Sequence, residues 1–262
     1  MNLELAGKIA VVTGASKGIG LAITSTLVDE GVRVVAGARS PGPDLPALQS
    51  GDRVLFVPVD LSTSAGPRAL VDRAAQLGGV DILVNNAGAV TPHPGGFLSI
   101  TDEDWERSWA LTLMAAVRTT REALPQMIRR GGGSIITISS VNAYLPDPLV
   151  MEYSATKGAL TNFCKSLSKE VGPAGIRVNT ISPGPVETAL WLGEHGVAHT
   201  LADQLGDASA VDIAARAASG SVTGRFTRPQ EVADLVLLLA SDRTGNVTGS
   251  DFSIDGGLVQ TL

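Results

Sequence analysis

Two tyrosines occur in this chain, and their surroundings differ. Tyr144 sits among Asn142, Ala143, Leu145 and Pro146, with Pro148 close behind, which is loop composition. Tyr153 opens a stretch with helical apolar spacing and has Lys157 at i+4, so the pair shares one helix face. An ammonium beside a phenol favours the phenolate, and the spacing predicts a Tyr153 pKa below its usual value of about 10. A phenol tuned this way gives a proton to a developing alkoxide or takes one from an alcohol. Ser140 ends the preceding strand and can hydrogen-bond the same substrate oxygen. Y-x-x-x-K is also a common amphipathic helix pair, so its weight comes from its companions.

The main companion is Thr13-Gly14-Ala15-Ser16-Lys17-Gly18-Ile19-Gly20, which follows a first strand and runs into an apolar helix. A strand, turn and helix N-terminus in that order offers free backbone N–H groups and a positive dipole end to a phosphate. Gly14 permits the tight turn, Gly18 lets a pyrophosphate approach the backbone, and Gly20 lets helix pack close on strand. The same residues spell G-x-S-x-G, a nucleophile elbow with Ser16 as nucleophile. That hydrolase alternative needs a late acid and histidine, and His93, His195 and His199 occupy no convincing strand end. The second strand ends at Ala38-Arg39-Ser40, where an acid would meet the ribose 2′-hydroxyl of NAD. Arg39, aided by Lys17, suits a 2′-phosphate instead, so NADP(H) is the expected cofactor and NAD(H) the secondary one.

Such residues need a scaffold. Apolar runs rich in β-branched residues recur at 9–12, 32–36, 54–57, 82–84, 135–138, 178–181 and 252–254, the pattern of buried strands. Helical spacing fills 19–29, 67–77, 102–129, 153–171 and 229–240. This alternation predicts an α/β fold: a doubly wound, Rossmann-like parallel sheet of about seven strands with helices on both faces. No linker divides it, so residues 1–262 read as one nucleotide-binding domain. Within it, the Ala- and Gly-rich segment 188–227 breaks the rhythm and reads as a substrate lid. Its Trp191, flanked by Leu190 and Leu192, is a candidate substrate contact. Of the 30 glycines, Gly31, Gly51 and Gly175 read as helix-to-strand turns.

Bulk composition narrows the partners. With 20 Lys and Arg against 26 Asp and Glu, the net charge is −6, and no basic block is present to track a phosphate backbone. Nucleic acid is not an expected partner, and no apolar run is long enough to span a bilayer. The single cysteine, Cys164, and the absence of a basic segment ahead of an apolar one at the start point to the cytoplasm. Cys164 reads as a packed small hydrophobe. His195 and His199 stand at i, i+4, but Gly196 weakens a helix there and no third ligand is evident, so no metal is expected. Trp105, Trp109 and Leu113 form a helical stripe that reads as a packed face.

Taken together, these features resemble the short-chain dehydrogenase/reductase family, in its compact single-domain form, over essentially the whole chain. The resemblance is carried by Thr13 to Gly20, Asp60, Asn85-Asn86-Ala87-Gly88, Ser140, Tyr153 with Lys157, and Pro183-Gly184 followed by Thr188. It implies that Asp60 and Leu61 lie at the adenine, and that Asn86, Ala87 and Gly88 pack along the cofactor. It further implies that Lys157 also holds the nicotinamide ribose and that Pro183, Gly184, Val186 and Thr188 lie at the carboxamide. The family's last strand commonly joins subunits, which implies a homo-oligomer, tetramer or dimer, acting on a small carbonyl or alcohol substrate. One position departs. Where members carry an asparagine that helps hold a relay water, counted from Trp105, this chain has Thr112, whose hydroxyl also donates and accepts. That departure keeps a second class of answer in view, a cofactor-binding sensor or scaffold of low activity, against which the intact Ser140, Tyr153 and Lys157 stand.

Overall fold

The computed structural model describes residues 2–48, 53–194, 196–206 and 208–261. Seven parallel strands form one sheet: β1 (Ile9–Thr13), β2 (Arg33–Ala38), β3 (Val54–Pro58), β4 (Ile82–Asn85), β5 (Gly133–Ile138), β6 (Ile176–Pro183) and β7 (Asp251–Ile254). Their spatial order is β3-β2-β1-β4-β5-β6-β7. The chain therefore winds outward from β1 in one direction and then from β4 in the other, and the carboxyl ends of β1 and β4 flank the switch point where open α/β sheets bind ligands.

The helices are α1 (Gly18–Asp29), α2 (Leu45–Leu48), α3 (Ala65–Gln76), α4 (Asp102–Ser108), α5 (Ala115–Arg130), α6 (Met151–Val171), α7 (Ala189–Leu192), α8 (Val197–Leu205), α9 (Ala210–Ser219) and α10 (Pro229–Ala240). Alternating residues of each strand feed two cores, as the two-residue side-chain period demands. Ala10, Val12, Val34, Ala36, Val84 and Ile136 pack against Ile23 and Leu27 of α1 and Val232 and Val236 of α10. Val11, Val35, Leu83 and Ile135 face the other way, onto Leu70 of α3, Met127 of α5 and Leu160 of α6. The expected seven-stranded, doubly covered parallel sheet is the one observed. Gly31 and Gly175 take positive φ (80° and 74°), as turns there require, whereas Gly51 lies outside the described residues.

Two expectations are corrected. The stretch expected as one helix from 102 is interrupted: Trp109–Met114 forms a π-helical segment between α4 and α5. The Trp105–Trp109–Leu113 stripe spans that boundary and is not packed throughout within the chain. Leu113 is buried, but Trp109 is 43% exposed.

One contact that positions the site has no sequence signature. The segment following β4 is fixed to the start of α6 by the His93 N–H, which donates to the Leu149 carbonyl at 2.7 Å, and by the His93 ring, whose Nε2 lies 3.6 Å from Glu152 Oε1. Both side chains are nearly buried (10% and 3% exposed), and neither His93 Nε2 nor Glu152 Oε2 has another partner. Glu152 immediately precedes Tyr153, and its charge sits in the first turn of α6, where the helix dipole favours it. Removing either partner strands a buried polar group, so His93→Leu and Glu152→Leu are each expected to lower unfolding free energy by about 2 kcal/mol. The double variant should cost less than the sum. Denaturant unfolding of the four proteins checks this; strictly additive losses would show that the two side chains do not interact.

Candidate active site

The end of β1 and the start of α1 build the first wall. Gly14 and Gly18 have φ of +66° and +54°, conformations that favour glycine. A Cβ on Gly20 would collide with the Gly14 carbonyl, so that position requires glycine for the helix to approach the strand. Asn86 holds the turn, its Nδ2 donating to the carbonyls of Thr13 (3.0 Å) and Gly14 (3.1 Å). Thr13 Oγ1 in turn accepts from the N–H groups of Asn86 (2.9 Å) and Ala87 (3.0 Å), so the ends of β1 and β4 are locked together. The turn opens into α1 through Lys17 as N-cap, with no side-chain cap on the helix's free N–H groups. This cradle fits a dinucleotide pyrophosphate.

Ser16, Lys17, Gly18, Ile19, Ala38, Arg39, Asp60 and Leu61 line one end of a cleft of ≈980 Å³. Asp60 Oδ1 accepts from the Ser62 N–H and hydroxyl; those bonds, with a smaller contribution from Arg39, hold its carboxyl below the usual range. Ser140, Tyr153, Lys157, Ala87, Gly88, Pro183, Gly184, Val186, Thr188 and Trp191 line the same cleft. Residues far apart in the chain therefore meet in a single cleft. A Cβ on Gly18 would stand 3.2 Å from Thr188 Cγ2, which brings the glycine turn against the base of the segment beyond β6.

The tyrosine and lysine lie on α6, beside the end of β5. Lys157, 3% exposed, donates from Nζ to the Ile138 carbonyl at 2.7 Å and stands 5.5 Å from the centroid of the Tyr153 ring, within cation–π range. Burial pushes its pKa down to about 8. The expected lowering of Tyr153 is overturned. Burial pushes its hydroxyl up to about 12, offset only in part by a hydrogen bond with Ser140, because Lys157 addresses the ring and the Ile138 carbonyl.

Ser140 is oriented by a residue that the sequence reading did not single out. Its hydroxyl donates to Asn142 Oδ1 at 3.2 Å and accepts from the Asn142 N–H at 3.2 Å, while Asn142 Nδ2 donates to Ser154 Oγ at 3.3 Å. A serine at a strand end followed two residues on by asparagine is a signal for such a turn. Thr112 lies in the π-helical segment, 1% exposed, and its Oγ1 has no hydrogen-bond partner among the described residues. A Cβ on Gly88 would lie 3.6 Å from that oxygen and 3.8 Å from Lys157 Nζ, so the threonine hydroxyl and the lysine address the same spot.

Other candidates are placed elsewhere. Cys164 is buried, its Sγ 3.3 Å from Thr137 Oγ1, and burial pushes the thiol up to about 11. His199 lies on α8, and His195 lies outside the described residues. Among the described residues no group of three metal-ligating side chains forms, and no helix is long and apolar enough to cross a membrane.

Comparison with known proteins agrees with this geometry. The family model for short chain dehydrogenase matches residues 8–195. Nodulation protein G of Rhizobium sp. (strain N33) is 38% identical, covering 97% of this chain and 98% of that protein. Cis-4-hydroxycyclohexanecarboxylate dehydrogenase of Sinomonas cyclohexanicum is 33% identical, covering 98% of each. Among solved structures, L-sorbose reductase from Gluconobacter frateurii, complexed with NADPH and L-sorbose, superposes with a TM-score of 0.91 at 37% identity, covering 100% of both chains. A doubly wound sheet, a glycine turn at its switch point and a match over most of its length place this chain in the short chain dehydrogenase family.

Proposed function

We propose that this protein is an NADP(H)-dependent oxidoreductase that moves a hydride between the nicotinamide and a carbonyl or secondary alcohol carbon. The observation that carries the reading is the convergence of Ser140, Tyr153 and buried Lys157 on the cleft that also contains the glycine turn. NADPH supplies the hydride when bound. Gly14, Gly18 and the start of α1 hold its pyrophosphate, and Arg39 with Lys17 meets the 2′-phosphate. The NADPH held by the similar sorbose reductase supports that preference.

Ser140, kept in place by Asn142, orients the substrate oxygen, and Tyr153 protonates it in reduction or deprotonates the alcohol in oxidation. Lys157 binds the ribose and, from its place under the Tyr153 ring, keeps a cation beside the reacting hydroxyl. Thr112 takes the place of the relay asparagine, its unpartnered hydroxyl serving a water on the path to Lys157. The segment 188–227 acts as a lid over the substrate, and self-association is part of the same reading, supported by the exposed Trp109.

Three measurements test this. Tyr153→Phe should reduce turnover by about 1,000-fold while the NADPH dissociation constant stays within about twofold of wild type. Full activity in that variant would remove Tyr153 from the chemistry. The second test is pH. Lys157 is a cation whose pKa burial lowers to about 8, so its charge is present below that pH and lost above it, whereas Tyr153 keeps its proton up to about 12. Carbonyl reduction should therefore hold level below about pH 8 and fall above it, and Lys157→Met should abolish the break; a wild-type rate rising through pH 8 contradicts the assignment. Third, wild type should bind NADPH more tightly than NADH, and Arg39→Asp should reverse the order. A wild-type preference for NADH would end the role given to Arg39 and Lys17.

A further inference from the structure

The carbonyl end of the cleft has an unusual distribution of polarity. From the segment after β5, Leu145 stands 46% exposed, and from α7, Leu190 stands 42% exposed; both line the cleft. Trp191 lines it too and packs against Phe226, ring centroids 5.5 Å apart at 52°. Leu149, Val197 and Leu201 continue the same apolar wall. Large apolar side chains gathered around a concave site and left in water gain stability only when something apolar covers them.

Most polar side chains of that region are engaged within the protein, and the two exposed charges, Asp147 and Arg216, are hydrated. Asn142 is committed to Ser140 and Ser154, and Ser139 Oγ pairs with Thr161 Oγ1 at 2.6 Å. Asp147 Oδ1 accepts from the Leu149 N–H at 2.9 Å, and Arg107 is paired with Asp104. Arg216, at the rim on α9, is exposed, so its guanidinium stays hydrated. Ser140 and Tyr153 remain to meet one oxygen. A ligand with several further hydroxyls would press them against leucine and tryptophan, losing water without a replacement partner.

Resting on the oxidoreductase reading above, we infer that the substrate is an apolar, mid-sized ketone or secondary alcohol and not a polyol, with Leu145, Leu190 and Trp191 setting that choice. An apolar wall discriminates against even one added hydroxyl by about 100-fold.

The test is initial-rate kinetics of the full chain with NADPH, comparing ring ketones from cyclohexanone to 2-tetralone with the ketose L-sorbose. The expected kcat/KM for the best ring ketone exceeds that for L-sorbose by at least about 100-fold. Leu145→Gln and Leu190→Gln should each narrow the ratio by about tenfold, through KM for the ketone more than through kcat, without changing NADPH affinity. Equal or better use of L-sorbose, or a ratio that neither substitution moves, overturns the inference. If L-sorbose is reduced at a rate that Tyr153→Phe abolishes, the oxidoreductase reading stands and only the substrate class is wrong. If NADPH binds and neither class is reduced, both fail.

Discussion

The architecture turns on one buried cation. An ammonium taken out of water needs compensating dipoles, and Lys157 has two sources of them: the Ile138 carbonyl at 2.7 Å and the face of the Tyr153 ring. The first is the last residue of β5 and the second lies one turn earlier on α6, so the lysine ties a strand end to a helix face at the point where both reach the cleft. Even so, burial leaves the ammonium easier to deprotonate than a lysine in water, and leaves the neighbouring phenol harder to ionise. Neither group is set for proton release by the other alone. In the proposed reaction, the tuning that brings Tyr153 into a useful range has to come with the charges and hydroxyls of bound cofactor and substrate, so that reading puts proton transfer under the control of binding.

Around that point, close backbone approach does the positioning on the cofactor side. The Gly14 carbonyl and the Asn86 amide leave no volume for a Cβ at Gly20, and their hydrogen bonds, with those to the Thr13 hydroxyl, hold β1 and β4 in register where the strand order reverses. On the catalytic side the work falls to side chains: Asn142 for Ser140, and His93 with Glu152 for the start of α6. The first kind of constraint tolerates almost no substitution. The second can be met by several residue pairs, provided each buried polar atom finds a partner.

That difference governs what was legible in the sequence. Strands such as 9–12 and 135–138 could be read because β-branched runs bounded by polar residues are local signals, and Thr13 to Gly20 because its glycines answer to backbone geometry alone. The π-helical segment Trp109–Met114 left no trace, since one widened turn changes neither composition nor apolar spacing. The direction of the Tyr153 shift was misread for a related reason. An i+4 lysine shares the helix face, but whether its ammonium addresses the phenol oxygen, the ring or a strand carbonyl depends on burial and on β5, which spacing does not encode. His93 and Glu152 belong to segments that meet only once the sheet has formed.

The segment beyond β6, proposed above as a lid, shows how the two sides are joined. Its ends are clamped together at its base: the Glu187 N–H donates to the Thr227 carbonyl at 2.9 Å, and the Thr227 N–H to the Pro185 carbonyl at 2.9 Å. The segment that carries α7, α8 and α9 departs from this neck and is tied a second time beyond β7, where the Thr223 N–H donates to the Gly256 carbonyl at 3.1 Å. Helix α9 even carries its own capping box, Ser209 with Asp212, so its start is stabilised locally. Yet the neck is not independent of the cofactor side, because Thr188 packs against Gly18. A phosphate seated on the glycine turn therefore meets the residue from which the lid departs. The glycine turn and the base of the segment beyond β6 share that contact, so a change of backbone at Gly18 is felt first at Thr188.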